Sequence, residues 1–170
     1  RVSSMAVWDV TGKGKLANDL EVKVEGEGLR FVVVVARFNS EITEGLMFGV
    51  LYGLRQYGVQ PVDVDVVRVP GAFEIPLAAM TIAKTGKTDG VICVGSIIKG
   101  ETPHWAHLSR AVTFGMLEAG LETGVPVISA VLTTKSEDQA RNRSVTFEKN
   151  KDTFEFLETV TSEPRLYTGK

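Results

Sequence analysis

The amino-acid sequence predicts an α/β fold in which a four-stranded parallel sheet lies between two layers of helices. Two observations predict this class. From Phe31 onward, strand-like and helix-like segments alternate four times, and parallel neighbours in a sheet require long crossover connections of this kind. The first strand-like segment, residues 31–36, is also continuously apolar, which is typical of a strand that is covered on both faces.

The first strand–helix unit begins at an abrupt change in composition. Residues 31–36 read Phe-Val-Val-Val-Val-Ala and predict a buried strand. Apolar residues that recur at helical spacing from Ile42 to Leu54 predict the helix after it, and Gly58 ends the pattern. Glu41 falls in the first turn of that helix, where a negative charge suits the helix dipole.

The second unit places a strand at residues 62–69 and a helix at residues 73–84. Pro76 is compatible with this helix because the missing N–H falls in the first turn, where it has no intrahelical acceptor. Gly86 then supplies a C-terminal cap. The unit therefore has a clear beginning and a clear end.

The third and fourth units follow the same plan. Residues 91–96 predict the third strand, and Thr102 as N-cap with Pro103 at the first helical position predicts the start of its helix. Residues 125–132 predict the fourth strand. A capping box of the Ser-x-x-Gln type at residues 136–139 opens a short helix that runs through Arg143.

These units predict a single domain at residues 31–161, which ends in a further helical stretch at residues 147–160. A polar arm at residues 1–30, with one short strand at most, precedes the domain, and a tail at residues 162–170 follows it. A chain of 170 residues can bury one hydrophobic core without disulfides.

Composition excludes several classes of function. The 19 basic and 21 acidic residues are nearly balanced, which argues against nucleic acid as the main partner. The longest unbroken apolar run, residues 31–36, is far shorter than a membrane helix requires, and the amino end has no signal-peptide pattern. The single cysteine, Cys93, suits a reducing compartment. We therefore expect the cytoplasm, or an organelle if a targeting segment has been removed.

Ligands of open parallel sheets bind beyond the carboxyl ends of the strands. The loops at those ends are residues 37–39, 70–74, 97–104 and 133–135. They are the candidate functional site of the chain.

The third of these loops is the richest in chemistry. Gly100 precedes a predicted helix start at Thr102, which leaves backbone N–H donors for an anion. Lys99 adds positive charge, and His104 lies in the first turn, where an imidazole can move protons near neutral pH. Glu101 opposes an anion unless its carboxylate points to solvent. The alternative is an ordinary turn with a solvated lysine and a surface histidine.

The first two loops hold groups that suit an organic ligand. Phe38 follows a buried strand and can stack on a planar ligand, or it belongs to the core. Glu74 can bind ligand hydroxyls, although the helix dipole also explains an acid in a first turn. Asn39 serves equally well as a helix cap. The only histidines, His104 and His107, with one cysteine elsewhere, predict no metal site.

Four segments at these strand ends resemble one family, lumazine synthase, which makes 6,7-dimethyl-8-ribityllumazine in riboflavin biosynthesis. They read Ala-Arg-Phe-Asn at residues 36–39, Val-Pro-Gly-Ala-Phe-Glu-Ile-Pro at 69–76, Gly-Ser-Ile-Ile-Lys-Gly-Glu-Thr-Pro-His at 95–104, and Val-Leu-Thr-Thr at 131–134 followed by Gln139, Ala140 and Arg143. The order and spacing match those of the family. The resemblance implies a flavodoxin-like three-layer αβα sandwich.

The resemblance also implies a transferase reaction. It would condense 5-amino-6-ribitylaminopyrimidinedione with 3,4-dihydroxy-2-butanone 4-phosphate, with no metal or redox cofactor. His104 would shuttle protons. Carried over by position, the substrate-binding residues would be Phe38, Asn39, Gly71, Ala72, Phe73, Glu74, Ser96, Ile97, Ile98 and Ser129. The phosphate-binding residues would be Gly100, Glu101, Thr102 and Arg143.

The sequence departs from the family pattern in two places. Ser129 stands where the family has an aromatic residue that reaches into the neighbouring subunit's site. After Arg143 the usual glycines are missing, although Lys151 falls at one of the lysine positions and would serve a neighbouring subunit. We therefore expect a homo-oligomer with sites between subunits, as a pentamer or decamer rather than an icosahedral shell.

Two other hypotheses follow from the same residues. One is a homologue with weakened catalysis that acts as a flavin- or lumazine-binding or assembly protein, which Ser129 favours. The other is an unrelated flavodoxin-like or receiver module. The intact segments at residues 70–76 and 95–104 argue against the second of these.

Overall fold

The computed structural model describes residues 25–144 and 158–160. Its helices and strands are β1 (Phe31–Ala36), α1 (Ser40–Gln56), β2 (Val64–Val69), α2 (Ile75–Ala83), β3 (Gly90–Ile98), α3 (His104–Thr123), β4 (Val127–Thr134) and α4 (Glu137–Arg141). Residues 158–160 are helical. The predicted tail, most of the predicted arm and most of the helix predicted at residues 147–160 lie outside the described residues.

The four strands form one parallel sheet in the order β2-β1-β3-β4. At its centre Val33 of β1 lies in register between Val66 of β2 and Ile92 of β3. The predicted α/β class with a four-stranded parallel sheet is therefore confirmed. The strand order is that of flavodoxin-like sheets, in which the chain changes direction between β1 and β3.

Helices cover both faces of the sheet. Val34 packs in one buried cluster with Ile75 of α2 and Met116 of α3. Its neighbour Val35 points to the other face and packs in a second cluster with Leu51 of α1. Two valines adjacent in sequence are thus both fully buried, because successive side chains of a strand point to opposite faces. The three-layer αβα arrangement is confirmed.

The last three strands differ in their bounds from the prediction. β2 begins at Val64 and not at residue 62, because Pro61–Asp63 form a 3₁₀ turn. β4 begins at Val127 and not at residue 125, since the proline at position 126 has no N–H to give to a ladder. At the other end β3 and β4 remain paired up to Ile98 and Thr134. Ile97 and Ile98, which were predicted in a loop, are therefore strand residues at the edge of the site.

The predicted N-cap at Thr102 is wrong. α3 begins at His104, and Pro103 occupies the N-cap position with no side-chain cap hydrogen bond. The Pro103 carbonyl accepts hydrogen bonds from the N–H groups of Ala106, at 3.0 Å, and His107, at 3.4 Å. The first intrahelical bonds thus start at the proline, and its ring lies just outside the helix instead of in its first position.

Candidate active site

A cavity of about 570 Å³ lies at the carboxyl ends of the strands, at the point where the chain direction changes between β1 and β3. It is lined by residues from three loops and from the first turns of α3: Phe38, Asn39, Pro70, Gly71, Ala72, Phe73, Glu74, Ser96, Ile97, Ile98, Gly100, Thr102, His104, Trp105 and Leu108. Three separate predicted segments of the sequence thus meet around one space.

Backbone hydrogen bonds hold the first two loops together beyond the ends of their strands. The N–H of Arg37 donates to the carbonyl of Val69 at 2.8 Å, and the N–H of Phe38 donates to that of Pro70 at 3.1 Å. The Phe38 side chain is 70% exposed beside the cavity. It therefore does not belong to the core, and its ring is available to a ligand.

Asn39 joins the first loop to the end of β3. Its backbone lies in the left-handed region, with φ 58° and ψ 47°, which few residues other than glycine and asparagine adopt readily. Its side chain does not cap α1. Instead, Nδ2 donates to the carbonyl oxygen of Ser96 at 2.9 Å. The Ser96 hydroxyl is buried and has no hydrogen-bond partner among the described residues.

The second loop folds around Glu74. Residues Ala72–Glu74 form a 3₁₀ turn before α2, and Glu74 Oε2 accepts a hydrogen bond from the N–H of Gly71 at 2.9 Å. This bond holds the carboxylate at the cavity wall. Phe73, in the same turn, is 67% exposed and also lines the cavity. The turn thus presents a carboxylate and an aromatic ring to the same space.

The third loop supplies donors and an imidazole. The N–H of Lys99 donates to the carbonyl of Thr134 at 2.9 Å, which continues the β3–β4 ladder into the loop. The backbone N–H groups of Gly100 and Thr102 form no hydrogen bond to another described residue. His104 begins α3 and is exposed at the cavity. Free backbone donors and an imidazole therefore lie next to one another.

Three of the predicted site residues do not line this cavity. Glu101 is exposed, as it must be if its carboxylate is not to oppose an anion. Arg143 lies after α4, where its Nη1 donates to the carbonyl of Gln139 at 2.8 Å. Ser129 is exposed on the edge strand β4, beside Cys93 and away from the carboxyl end of the sheet. Lys151 lies outside the described residues.

Three cavity residues were missed in the sequence: Pro70, Trp105 and Leu108. Trp105 and Leu108 are one helical turn apart at the start of α3, directly after His104. The sequence did contain a signal for these two residues, namely apolar side chains three positions apart directly after the predicted proton carrier His104. Pro70 carried no signal of its own, because its role is set by the bond that its carbonyl accepts from Phe38.

The buried cysteine does not line the cavity. Cys93 lies in the core on β3, and burial raises the pKa of its thiol from 9.0 to about 12. A thiol in that state is a poor nucleophile at neutral pH. Within residues 25–144 and 158–160, no three His, Cys, Asp or Glu side chains form a group that could hold a metal ion. None of the helices in that part of the chain is long and apolar enough to cross a membrane.

The fold and the cavity define a class of protein, an α/β enzyme that binds a small organic substrate at the switch point of a parallel sheet. Residues 28–162 match the sequence profile of the 6,7-dimethyl-8-ribityllumazine synthase family, and the chain belongs to that family. It is 46% identical over 136 residues to the 6,7-dimethyl-8-ribityllumazine synthase of Desulfotalea psychrophila, in an alignment that covers 80% of this chain and 88% of that protein.

Membership of the family confirms the resemblance seen in the sequence. With it comes the family's transferase activity in riboflavin biosynthesis. The hypothesis of a binding or assembly protein with weakened catalysis is not favoured. An unrelated flavodoxin-like or receiver module is excluded for the same reason.

Proposed function

We propose that this cavity condenses 5-amino-6-ribitylaminopyrimidinedione with 3,4-dihydroxy-2-butanone 4-phosphate to give 6,7-dimethyl-8-ribityllumazine, phosphate and water. The observation that carries the proposal is the convergence of the three loops. Surfaces suited to a ring, a polyol chain and a phosphate, from residues far apart in sequence, line one space of about 570 Å³. A cavity of that volume lies within the usual range for small-molecule sites.

The pyrimidine would bind between the ends of β1 and β3. The exposed ring of Phe38 offers a stacking surface. Residues Ser96 to Ile98 present the end of β3 to the edge of the pyrimidine, where peptide groups can pair with its polar atoms. The ribityl chain would lie along the second loop, where the Glu74 carboxylate can accept hydrogen bonds from its hydroxyls.

The phosphate and the proton transfers would belong to the third loop. The free N–H groups of Gly100 and Thr102 can donate to the phosphate. The amine and the ketone condense to an imine with loss of water, and the C–O bond to the phosphate then breaks, with its electron pair leaving on the phosphate. Ring closure releases a second water. His104 would carry the protons that these steps exchange.

We also propose that the active enzyme is a homo-oligomer, a pentamer or decamer, in the cytoplasm. Arg143 and Ser129 lie outside the cavity of their own chain and would meet the cavity of the next copy. The outer faces of α2 and α3 support this, because they expose large apolar side chains: Leu77, Phe114, Leu117 and Leu121. An exposed apolar surface of this kind marks protein contacts more often than free surface.

The test compares two histidines of the same helix. His104 lines the cavity, whereas His107, one turn further along α3, is exposed and does not. We expect His104→Ala to lower kcat by about 10²-fold, which is the lower end of what acid–base catalysis contributes, and His107→Ala to leave kcat within about twofold. Product absorbance and phosphate release are followed together. Equal effects of the two variants would remove the assignment of His104.

A complementation experiment tests the shared site. Arg143→Ala is expected to raise the KM of the phosphorylated substrate with little change in kcat. If Arg143 serves the neighbouring cavity, co-refolded His104→Ala and Arg143→Ala subunits regain activity, since roughly a quarter of the interfaces in a randomly mixed ring are intact. No recovery above the sum of the two separate variants would show that each cavity uses its own Arg143.

A further inference from the structure

Lys99 and Trp105 form a contact that the proposed reaction does not yet use. Lys99 follows β3 directly, and its backbone is fixed by the hydrogen bond from its N–H to Thr134. Trp105 lies in the first turn of α3. The Lys99 Nζ atom is 6.0 Å from the centroid of the Trp105 ring, at the outer limit of a cation–π contact. The two side chains thus meet across the loop that separates them.

The indole stands between the core and the cavity. Trp105 is half-buried, packs against the cluster beneath α2 and α3, and lines the cavity. Gly100 and Thr102, which lie between Lys99 and Trp105 in sequence, line the same cavity. One segment of seven residues, 99–105, therefore contains a positive charge, free backbone donors and an aromatic ring in contact with that charge.

The cavity needs positive charge that its own lining does not supply. Among the described residues, no lysine or arginine lines it, and Arg143 donates to the Gln139 carbonyl instead. Lys99 is exposed and has no carboxylate partner among the described residues. Its weak contact with the indole does not neutralise the ammonium, and Gly100, the next residue in the chain, lines the cavity.

We propose that Lys99 is a phosphate-binding residue of its own subunit and that Trp105 is the positioning residue that holds its ammonium at the phosphate end of the cavity. The proposal rests on the proposed function for the identity of the phosphate, which belongs to the dihydroxybutanone phosphate. Lys99 thereby supplements Arg143 of a neighbouring copy. It acts on the phosphorylated substrate, whose phosphate would bind the N–H groups of Gly100 and Thr102, and not on the pyrimidine.

The kinetic test separates the two substrates. We expect Lys99→Ala to raise the KM of the phosphorylated ketone about fivefold, as for the loss of one partly solvated charge-assisted contact, and to leave the KM of the pyrimidine within about twofold. Lys99→Arg restores both values. Trp105→Leu keeps an apolar lining but removes the ring, and it raises the KM of the ketone by about two- to threefold.

Lys84→Ala is the matched control. Lys84 is also an exposed lysine, but it ends α2 at the opposite end of the sheet and pairs with Glu122 at 3.3 Å. Both KM values are expected to stay unchanged in this variant. Equal changes in both KM values in Lys99→Ala, no change in either, or failure of arginine to restore the ketone KM would each overturn the proposal.

A binding measurement keeps the inference separate from the proposed function. In a Trp8→Phe background, Trp105 is the remaining tryptophan, since the sequence has two. Inorganic phosphate, titrated against sodium chloride of equal ionic strength, is expected to change its emission, and Lys99→Ala is expected to weaken that response about fivefold. An inactive wild type would refute the proposed function alone. A phosphate response that is absent, or identical in Lys99→Ala, would refute the role of Lys99.

Discussion

The left-handed residue Asn39, which links the first loop to the end of β3, gives a prediction whose size follows from the structure. Alanine at position 39 would have to keep the left-handed backbone without the short polar side chain that makes it favourable for asparagine, which costs about 1 kcal/mol. It also removes the 2.9 Å hydrogen bond to the Ser96 carbonyl, which contributes about 1 kcal/mol. We therefore expect Asn39→Ala to lower the free energy of unfolding by about 2 kcal/mol.

Two further variants separate the two effects. Asn39→Gly adopts the left-handed backbone freely and loses only the bond, so the loss is about 1 kcal/mol. Asn39→Asp keeps a residue that tolerates this backbone but has no N–H to donate to Ser96, and its loss lies between the other two. Urea unfolding followed by circular dichroism gives the values, at one protein concentration because association shifts apparent stability. Equal losses for Ala and Gly, or none for either, would refute this reasoning.

Two other predictions concern the core. A Cβ at Gly115 of α3 would lie 2.7 Å from Pro76 Cβ, so Gly115→Ala is expected to lower the free energy of unfolding by about 1–3 kcal/mol. Gly120→Ala on the same helix meets only ordinary contacts and is expected to be neutral or stabilising. The urea midpoints of the two variants are compared, and equal midpoints would contradict this prediction. The Cys93 thiol keeps its proton until its folded pKa of about 12, whereas the unfolded thiol ionises near 9.0, so stability falls as pH rises through that window. The native protein should resist iodoacetamide at pH 8, and rapid alkylation without unfolding would contradict this.

Much of the fold was predictable because it depends on local patterns. The unbroken run at residues 31–36 predicted a strand covered on both faces, and Val32 to Ala36 are all buried. The capping box at residues 136–139 predicted α4, and the Ser136 hydroxyl accepts from the Gln139 N–H as expected. Once the strands were known to be parallel, the loops at their carboxyl ends had to lie at one edge, which is why three predicted segments meet in the cavity.

The details that sequence could not supply depend on tertiary contacts. Asn39 looked like a helix cap, but its amide reaches a carbonyl 57 residues away, and no local pattern encodes that choice. Thr102 had the residue type of a cap, yet the helix begins after Pro103 because the proline carbonyl accepts the first bonds. The roles of Ser129 and Arg143 stay predictions, because they concern the surface between copies.

Product formation by the purified wild-type protein shows whether it catalyses the proposed condensation. Both substrates are mixed with and without the protein, and lumazine absorbance and released phosphate are recorded in the same sample. We expect both products to appear at equal molar rates, well above the spontaneous reaction, and the rate to saturate in each substrate. Rates equal to the spontaneous reaction, or phosphate released without lumazine, would contradict this expectation.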